Sequence, residues 1–169
     1  MQDLDDQALR ELLPALRRFA LWLSRDVNNA DDLVQSCIER ALSKGDSRRP
    51  EASLKSWLFT ILYRQFIDGR RRASRFQRFM DVFRDEPELE PSAEETVMAR
   101  SALESFGQLS ADQRALLLMI TVEGFSYQEA AQALDIPIGT VMSRLSRARQ
   151  AYRQLTEGET PTMPLRRVK

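Results

Sequence analysis

Apolar residues recur at helical spacing along most of this chain. Leu9, Leu12, Leu13, Leu16, Phe19, Ala20 and Leu23 define a first helix. After a polar break at Asp26–Asn29, Ala30, Leu33, Val34, Cys37, Ile38, Ala41 and Leu42 repeat at i, i+3, i+4, i+7 and i+8, a stripe that predicts a second helix buried on one side. The stretch Ser43–Ser53 offers almost nothing to bury and reads as a loop. A third helix is expected from about Ser53 to Arg75, carrying Trp57, Phe59, Tyr63 and Phe66.

The pattern then breaks. Arg84–Ser92 holds two prolines and four acids, a composition that opposes helix and favours an extended, solvated chain. A second helical block follows, expected as four segments. The first spans roughly Glu94–Gln108. The second is opened by Ser110 with Gln113 three residues on, a capping-box pattern, and ended by Gly124. Ser126 with Glu129 repeats the capping box ahead of a short helix through Leu134. Asp135-Ile-Pro137 turns the chain, and a last helix runs from about Gly139 to Leu155. The expected architecture is therefore all-α: two small helical domains, 1–83 and 94–156, joined by a flexible acidic linker, 84–93, with a disordered tail, 157–169. The second domain contains a helix-turn-helix.

Composition removes several kinds of chemistry. The 169 residues include one cysteine and no histidine, so an intrachain disulfide, a structural zinc site and any histidine-based mechanism are excluded. No cofactor or metal is expected, and no enzyme activity. No run approaches the ~18 apolar residues of a membrane span, so no membrane insertion is expected. The acidic start, Met1–Asp6, does not read as a signal peptide. With a lone cysteine, that points to a reducing cytoplasm.

The net charge is zero, from 25 basic and 25 acidic residues, which at first argues against a nucleic-acid partner. Divided by segment it does not. Residues 1–80 carry 15 basic and 11 acidic side chains, residues 81–100 carry 2 and 7, and residues 101–169 carry 8 and 7. Two basic regions are separated by an acidic tether.

The basic residues are placed where DNA chemistry would use them. In the last helix Ile138, Val141, Leu145, Ala148 and Tyr152 share one face. The other presents Thr140, Met142, Ser143, Arg144, Ser146, Arg147, Arg149 and Arg153, with no acid between Ile138 and Leu155. Such a helix can enter a major groove, where Arg takes guanine edges or phosphates and Ser takes phosphates. On the third helix Arg64, Arg70, Arg71, Arg72, Arg75 and Arg78 stand against only Asp68 and are interleaved with aromatic rings, a combination suited to a single strand. Trp57 is expected chiefly as a packing residue. The polar face of the second helix, with Asp31, Asp32, Gln35, Ser36 and Glu39, has two readings of equal standing: acids that complement the helix dipole, or a protein-docking face.

These segments, in this order, resemble the bacterial sigma factors of the extracytoplasmic-function group. Asn29–Leu42 resembles the family's polymerase-binding segment, Ser53–Arg72 its −10-reading and strand-opening helix, and Ser126–Ala131 with Ile138–Arg149 its −35-reading motif. The resemblance implies a subunit that binds core RNA polymerase and promoter DNA and is held in check by an anti-sigma protein. It implies that Asp31, Asp32, Gln35 and Glu39 face the polymerase. It places Arg64, Gln65 and Asp68 at −10 DNA, with Arg71, Arg72 and Arg75 on nearby phosphates, and the Ser43–Ser53 loop, including Arg48 and Arg49, around a flipped base. Thr140, Met142, Ser143, Arg144, Ser146 and Arg147 would lie along the −35 groove. Arg64 stands where the family often has Asn, Met142 where Arg or Lys is common, and Ser36 where an acid is usual. Two alternatives stay open: a stand-alone helix-turn-helix regulator, and a sigma-like mimic that sequesters an anti-sigma protein.

Overall fold

The structure is a computed structural model and describes residues 6–43, 53–81 and 104–157. The proposed linker, the tail and the loop containing Arg48 and Arg49 lie outside the described residues. Helix α1 spans Asp6–Ser24 and buries Leu9, Leu16, Phe19, Ala20 and Leu23. It ends where Arg25 adopts a left-handed conformation, φ 59°, with its backbone N–H on the carbonyl of Leu21 at 2.8 Å. Asp26 then caps the next helix, its carboxylate accepting from the Asn29 N–H at 2.7 Å. The polar break is thus the cap itself, and α2 runs Val27–Ser43, burying Ala30, Cys37 and Ala41. Helix α3 spans Leu54–Asp81, opened by Ser53, whose hydroxyl accepts from the Ser56 N–H at 3.1 Å.

The expected end of α3 at Arg75 is six residues short. From Asp68 to Arg78 every side chain is exposed, so this stretch has no apolar face to announce it. It stays helical because Arg, Ala and Gln are good helix formers and one isolated glycine, Gly69, costs only about 1 kcal/mol.

The second block begins, among the described residues, with helical positions 104–108. Helix α4, Ala111–Leu117, has the full reciprocal capping box of Ser110 and Gln113. It continues into one wide turn, Leu118–Val122, closed by the Glu123 N–H on the Leu118 carbonyl at 2.9 Å. Gly124, at φ +70°, stops it. Helix α5, Tyr127–Leu134, opens with the second capping box, Ser126 and Glu129, and ends at Asp135 in the left-handed region. Helix α6, Ile138–Thr156, follows Pro137, whose fixed φ suits a helix start. On its inward face Val141, Leu145 and Ala148 are buried and Tyr152 is half-buried, while Ile138 is 46% exposed. No strand occurs among the described residues.

The two helical units share one apolar core. Phe59 of α3 sits between Phe19 of α1, at 4.8 Å between ring centroids, and Phe125, at 5.0 Å. Trp22 of α1 meets Phe106 edge-on at 5.1 Å, and Phe106 leads to Tyr152 of α6 at 6.1 Å. Units that look separate along the chain are therefore docked side by side.

Candidate nucleic-acid interface and polymerase-facing helix

The outward face of α6 is assembled as its periodicity requires. Met142, Ser143, Arg144, Ser146 and Arg147 are exposed and Thr140 is half-buried. The Ser143 hydroxyl donates to the Thr140 carbonyl at 3.1 Å. Among the described residues no carboxylate pairs with Arg144, Arg147, Arg149 or Arg153. A helix that leaves its cations unneutralised presents positive potential to an anionic partner.

On α3, Arg64 is exposed and stands 3.8 Å from the carboxylate of Asp135, in the turn before α6. Gln65 is half-buried and donates to the Ser36 carbonyl at 3.1 Å, while its side-chain oxygen is buried without a partner. Asp68, Arg71, Arg72 and Arg75 are exposed, and the Arg70 guanidinium lies over the Phe66 ring at 5.8 Å. A cleft of about 850 Å³ separates this surface from the helix-turn-helix, with Trp57, Arg64, Gln65 and Asp68 on one wall and Gln128, Gln132 and Pro137 on the other. Trp57 is half-buried: it packs against the core and also lines the cleft.

On α2, Asp31, Asp32, Gln35 and Glu39 are all exposed. Gln35 donates to Glu39 at 2.9 Å. Asp31 is held by Arg17 of α1 at 2.7 Å, and that hydrogen bond lowers the carboxyl and raises the guanidinium from their ordinary pKa values. Two of the acceptors on this face, Asp31 and Glu39, thus already have an intramolecular partner.

The structure also gathers residues that sequence reasoning passed over. Glu123, whose side chain is 3% exposed, takes Arg18 of α1 at 2.7 Å. The Lys55 ammonium donates to the Glu123 backbone carbonyl and lies 5.1 Å from the Phe125 ring. Arg114 is 8% exposed and donates to the carbonyls of Leu109 at 2.5 Å and of Leu23, at the end of α1, at 2.9 Å. Burial, followed by repulsion from Arg25 and Arg70, lowers its pKa. Tyr63 donates to Asp112 at 2.7 Å, and burial raises its phenol pKa. The one available signal is Glu123 itself, an acid directly after Leu116–Val122, a run apolar but for Thr121.

Comparison with known proteins decides the family. The Sigma2 domain of PhyR family matches residues 9–63, and the Sigma-70, region 4 family matches residues 99–151. The ECF RNA polymerase sigma factor EcfG of Rhodopseudomonas palustris is 36% identical over 138 residues, 81% of this chain and 76% of that one. The chain belongs to the ECF RNA polymerase sigma factors. The ECF sigma factor SigM of Mycobacterium tuberculosis is 30% identical over 155 residues, 89% of this chain and 76% of that protein. Among solved structures, the sigma factor RpoE of Bartonella quintana, in complex with the anti-sigma factor NepR, superposes with a TM-score of 0.75 at 37% identity. That match covers 90% of this chain and 96% of the other. The anti-anti-sigma factor PhyR from the same organism shares the fold at 17% identity, with a TM-score of 0.57 and 47% of its own length covered. As an ECF sigma factor, the protein is an alternative initiation subunit. Among the described residues no helix is long and apolar enough to cross a membrane, and no cluster of potential metal ligands occurs.

Proposed function

We propose that this sigma factor binds core RNA polymerase through the exposed face of α2, with Asp32, Gln35 and Glu39 as contacts and Asp31 ordered by Arg17. Helix α6 enters the −35 major groove, with Arg144 and Arg147 on base edges or phosphates and Thr140, Met142, Ser143 and Ser146 beside them. Helix α3 addresses the −10 element, Arg64, Gln65 and Asp68 facing bases and Arg71, Arg72 and Arg75 gripping phosphates, with Arg48 and Arg49 near the opened strand. The observation that carries this reading is the row of α6 arginines with no neutralising acid among the described residues. An anti-sigma protein restrains the chain, as NepR partners RpoE in the complex of related fold. The chain acts in the cytoplasm and is not itself an enzyme; bond formation belongs to the polymerase core.

A sigma-like mimic is the second reading, supported by the match of residues 9–63 to the PhyR sigma2 family. Against it stand the higher identity to RpoE than to PhyR, 37% against 17%, and an intact basic reading helix. One experiment separates the two. Purified protein is mixed with sigma-free core polymerase and promoter DNA, and start-specific transcripts are measured. Transcripts that depend on the protein support the sigma factor; capture of an anti-sigma protein with no transcript supports the mimic. In the same assay format, Arg144→Ala or Arg147→Ala weakens binding to the −35 duplex by about 1–3 kcal/mol. No loss at either position removes the assignment of these residues.

A further inference from the structure

The docked arrangement is incompatible with reading both promoter elements. Arg64 of the −10 helix is 3.8 Å from Asp135, three residues before α6 begins. The −35 contacts proposed above, residues 140–147, occupy the first half of a 19-residue helix, within about 15 Å of that point at 1.5 Å per residue. The −35 and −10 elements, by their own numbering, lie about 25 base pairs apart, or about 85 Å of duplex. Both readers can be used at once only after the units separate.

The seam that holds them is polar as well as apolar, and its polar contacts are built around buried groups. The Glu123 carboxylate is 3% exposed and takes Arg18 at 2.7 Å, while Lys55 holds the carbonyl of the same residue. Nine residues back along the chain, Arg114 reaches across to the Leu23 carbonyl at the end of α1, and Arg25 crosses the other way to the Gly107 carbonyl at 3.2 Å. Gly107 allows that approach: a β-carbon there would stand 2.4 Å from the Arg25 guanidinium carbon. None of Arg18, Lys55, Arg114 or Glu123 belongs to the proposed polymerase or DNA surfaces, and three of the four hydrogen-bond across the seam to groups in or beside the turn preceding the helix-turn-helix or to the α1 terminus.

We propose that this seam is an autoinhibitory latch, in which Arg18 and Lys55 clamp Glu123 and hold the two DNA readers too close together to engage a promoter. The latch rests on the sigma-factor reading above. Its consequence is thermodynamic. If only the open form docks productively on the polymerase, the apparent dissociation constant is the intrinsic one divided by the open fraction. Weakening the latch therefore tightens polymerase binding, which a merely structural contact would not do. The −35 face of α6 is exposed in the closed form, so binding of a short −35 duplex is independent of the latch.

The test uses the full chain with Arg18→Ala and the conservative Arg18→Lys. Spin labels are placed at Glu11→Cys on α1 and Gln150→Cys on α6, both exposed positions, and interdomain distances are measured by pulsed electron resonance beside affinity for core polymerase. The wild-type protein is expected to give one short distance. Arg18→Ala should shift it to a broad, longer distribution, tighten core binding at least 5-fold and leave −35 duplex affinity unchanged; Arg18→Lys should fall between. A short distance retained in Arg18→Ala overturns the latch, as does an opened seam with unchanged or weaker core binding. Glu123→Gln repeats the test from the other side, and helical circular dichroism confirms that each variant is folded. Opening without core binding in either form overturns the sigma-factor reading instead, and the distance readout tells that failure from failure of the latch.

Discussion

Arg114 offers a direct measure of how strongly the two units are joined. Its guanidinium is inserted between them, donating to the Leu109 carbonyl at 2.5 Å, the Leu23 carbonyl at 2.9 Å and the Gly107 carbonyl at 3.2 Å, while among the described residues it has no carboxylate partner and its buried Nε has no acceptor. Replacement by Met keeps the unbranched stem that packs in the core and removes every donor. The two shorter bonds involve a charged donor and are worth about 1.5–3 kcal/mol each, so about 3–6 kcal/mol is lost. Against this stands relief of the buried charge and its unpartnered Nε, about 1–3 kcal/mol. From the middle of each range, the net expectation for Arg114→Met is a destabilisation of about 2–3 kcal/mol, read as a lower urea midpoint in far-UV circular dichroism. Because one of the bonds crosses the seam, hydrogen exchange should also rise at the end of α1, around Leu23 and Arg25. A variant within about 0.5 kcal/mol of wild type, with unchanged exchange there, refutes the view that this cation ties the units together.

Phe59 is fully buried between Phe19 and Phe125, so Phe59→Ala should destabilise by about 3–5 kcal/mol and loosen the second unit, measurable by thermal unfolding and limited proteolysis. Ser126→Ala removes the acceptor of the Glu129 N–H and should cost about 0.5–2 kcal/mol in urea unfolding. Bonding to the Ser126 N–H, above all, lowers the Glu129 carboxyl pKa in the folded state. Its stabilisation is present above the unfolded carboxyl pKa and is lost as pH falls through the folded value, so the advantage of wild type over Glu129→Ala should shrink in acid titrations below about pH 4. The Cys37 thiol has no exposed surface and donates to the Leu58 carbonyl at 3.3 Å, and burial pushes its pKa up to about 12. Native protein should therefore resist thiol reagents at neutral pH and react stoichiometrically in 6 M guanidinium; rapid native labelling would contradict the burial.

What was legible in the sequence was what nearest-neighbour geometry controls. The apolar stripes of α1 and α2, the two capping boxes at Ser110 and Ser126, the turn at Asp135–Pro137 and the outward row of α6 arginines all follow from contacts within a few residues, and each is found where its spacing puts it except at Leu13 and Leu42, the stripe residues that the structure leaves exposed. The length of α3 was misjudged because its last turns bury nothing and periodicity has no hold on a fully exposed helix. Trp57 packs against the core as expected, and only the tertiary structure shows that the half of its ring left open also lines the cleft.

The sequence by itself determined the helices, their order, their caps and which faces turn outward, because hydrogen bonds and side-chain periodicity along one helix are local. Only the tertiary structure decided how the faces sit against each other. Glu123, Arg18, Lys55 and Arg114 are ordinary charged residues in their own segments, and nothing within several positions of any of them reveals a partner 68 to 105 residues away. Their burial and pairing arise when the apolar surfaces around Phe59 and Phe125 close and exclude water, which turns charges that look solvated in the sequence into the polar contacts that hold α3 and α6 at a fixed distance.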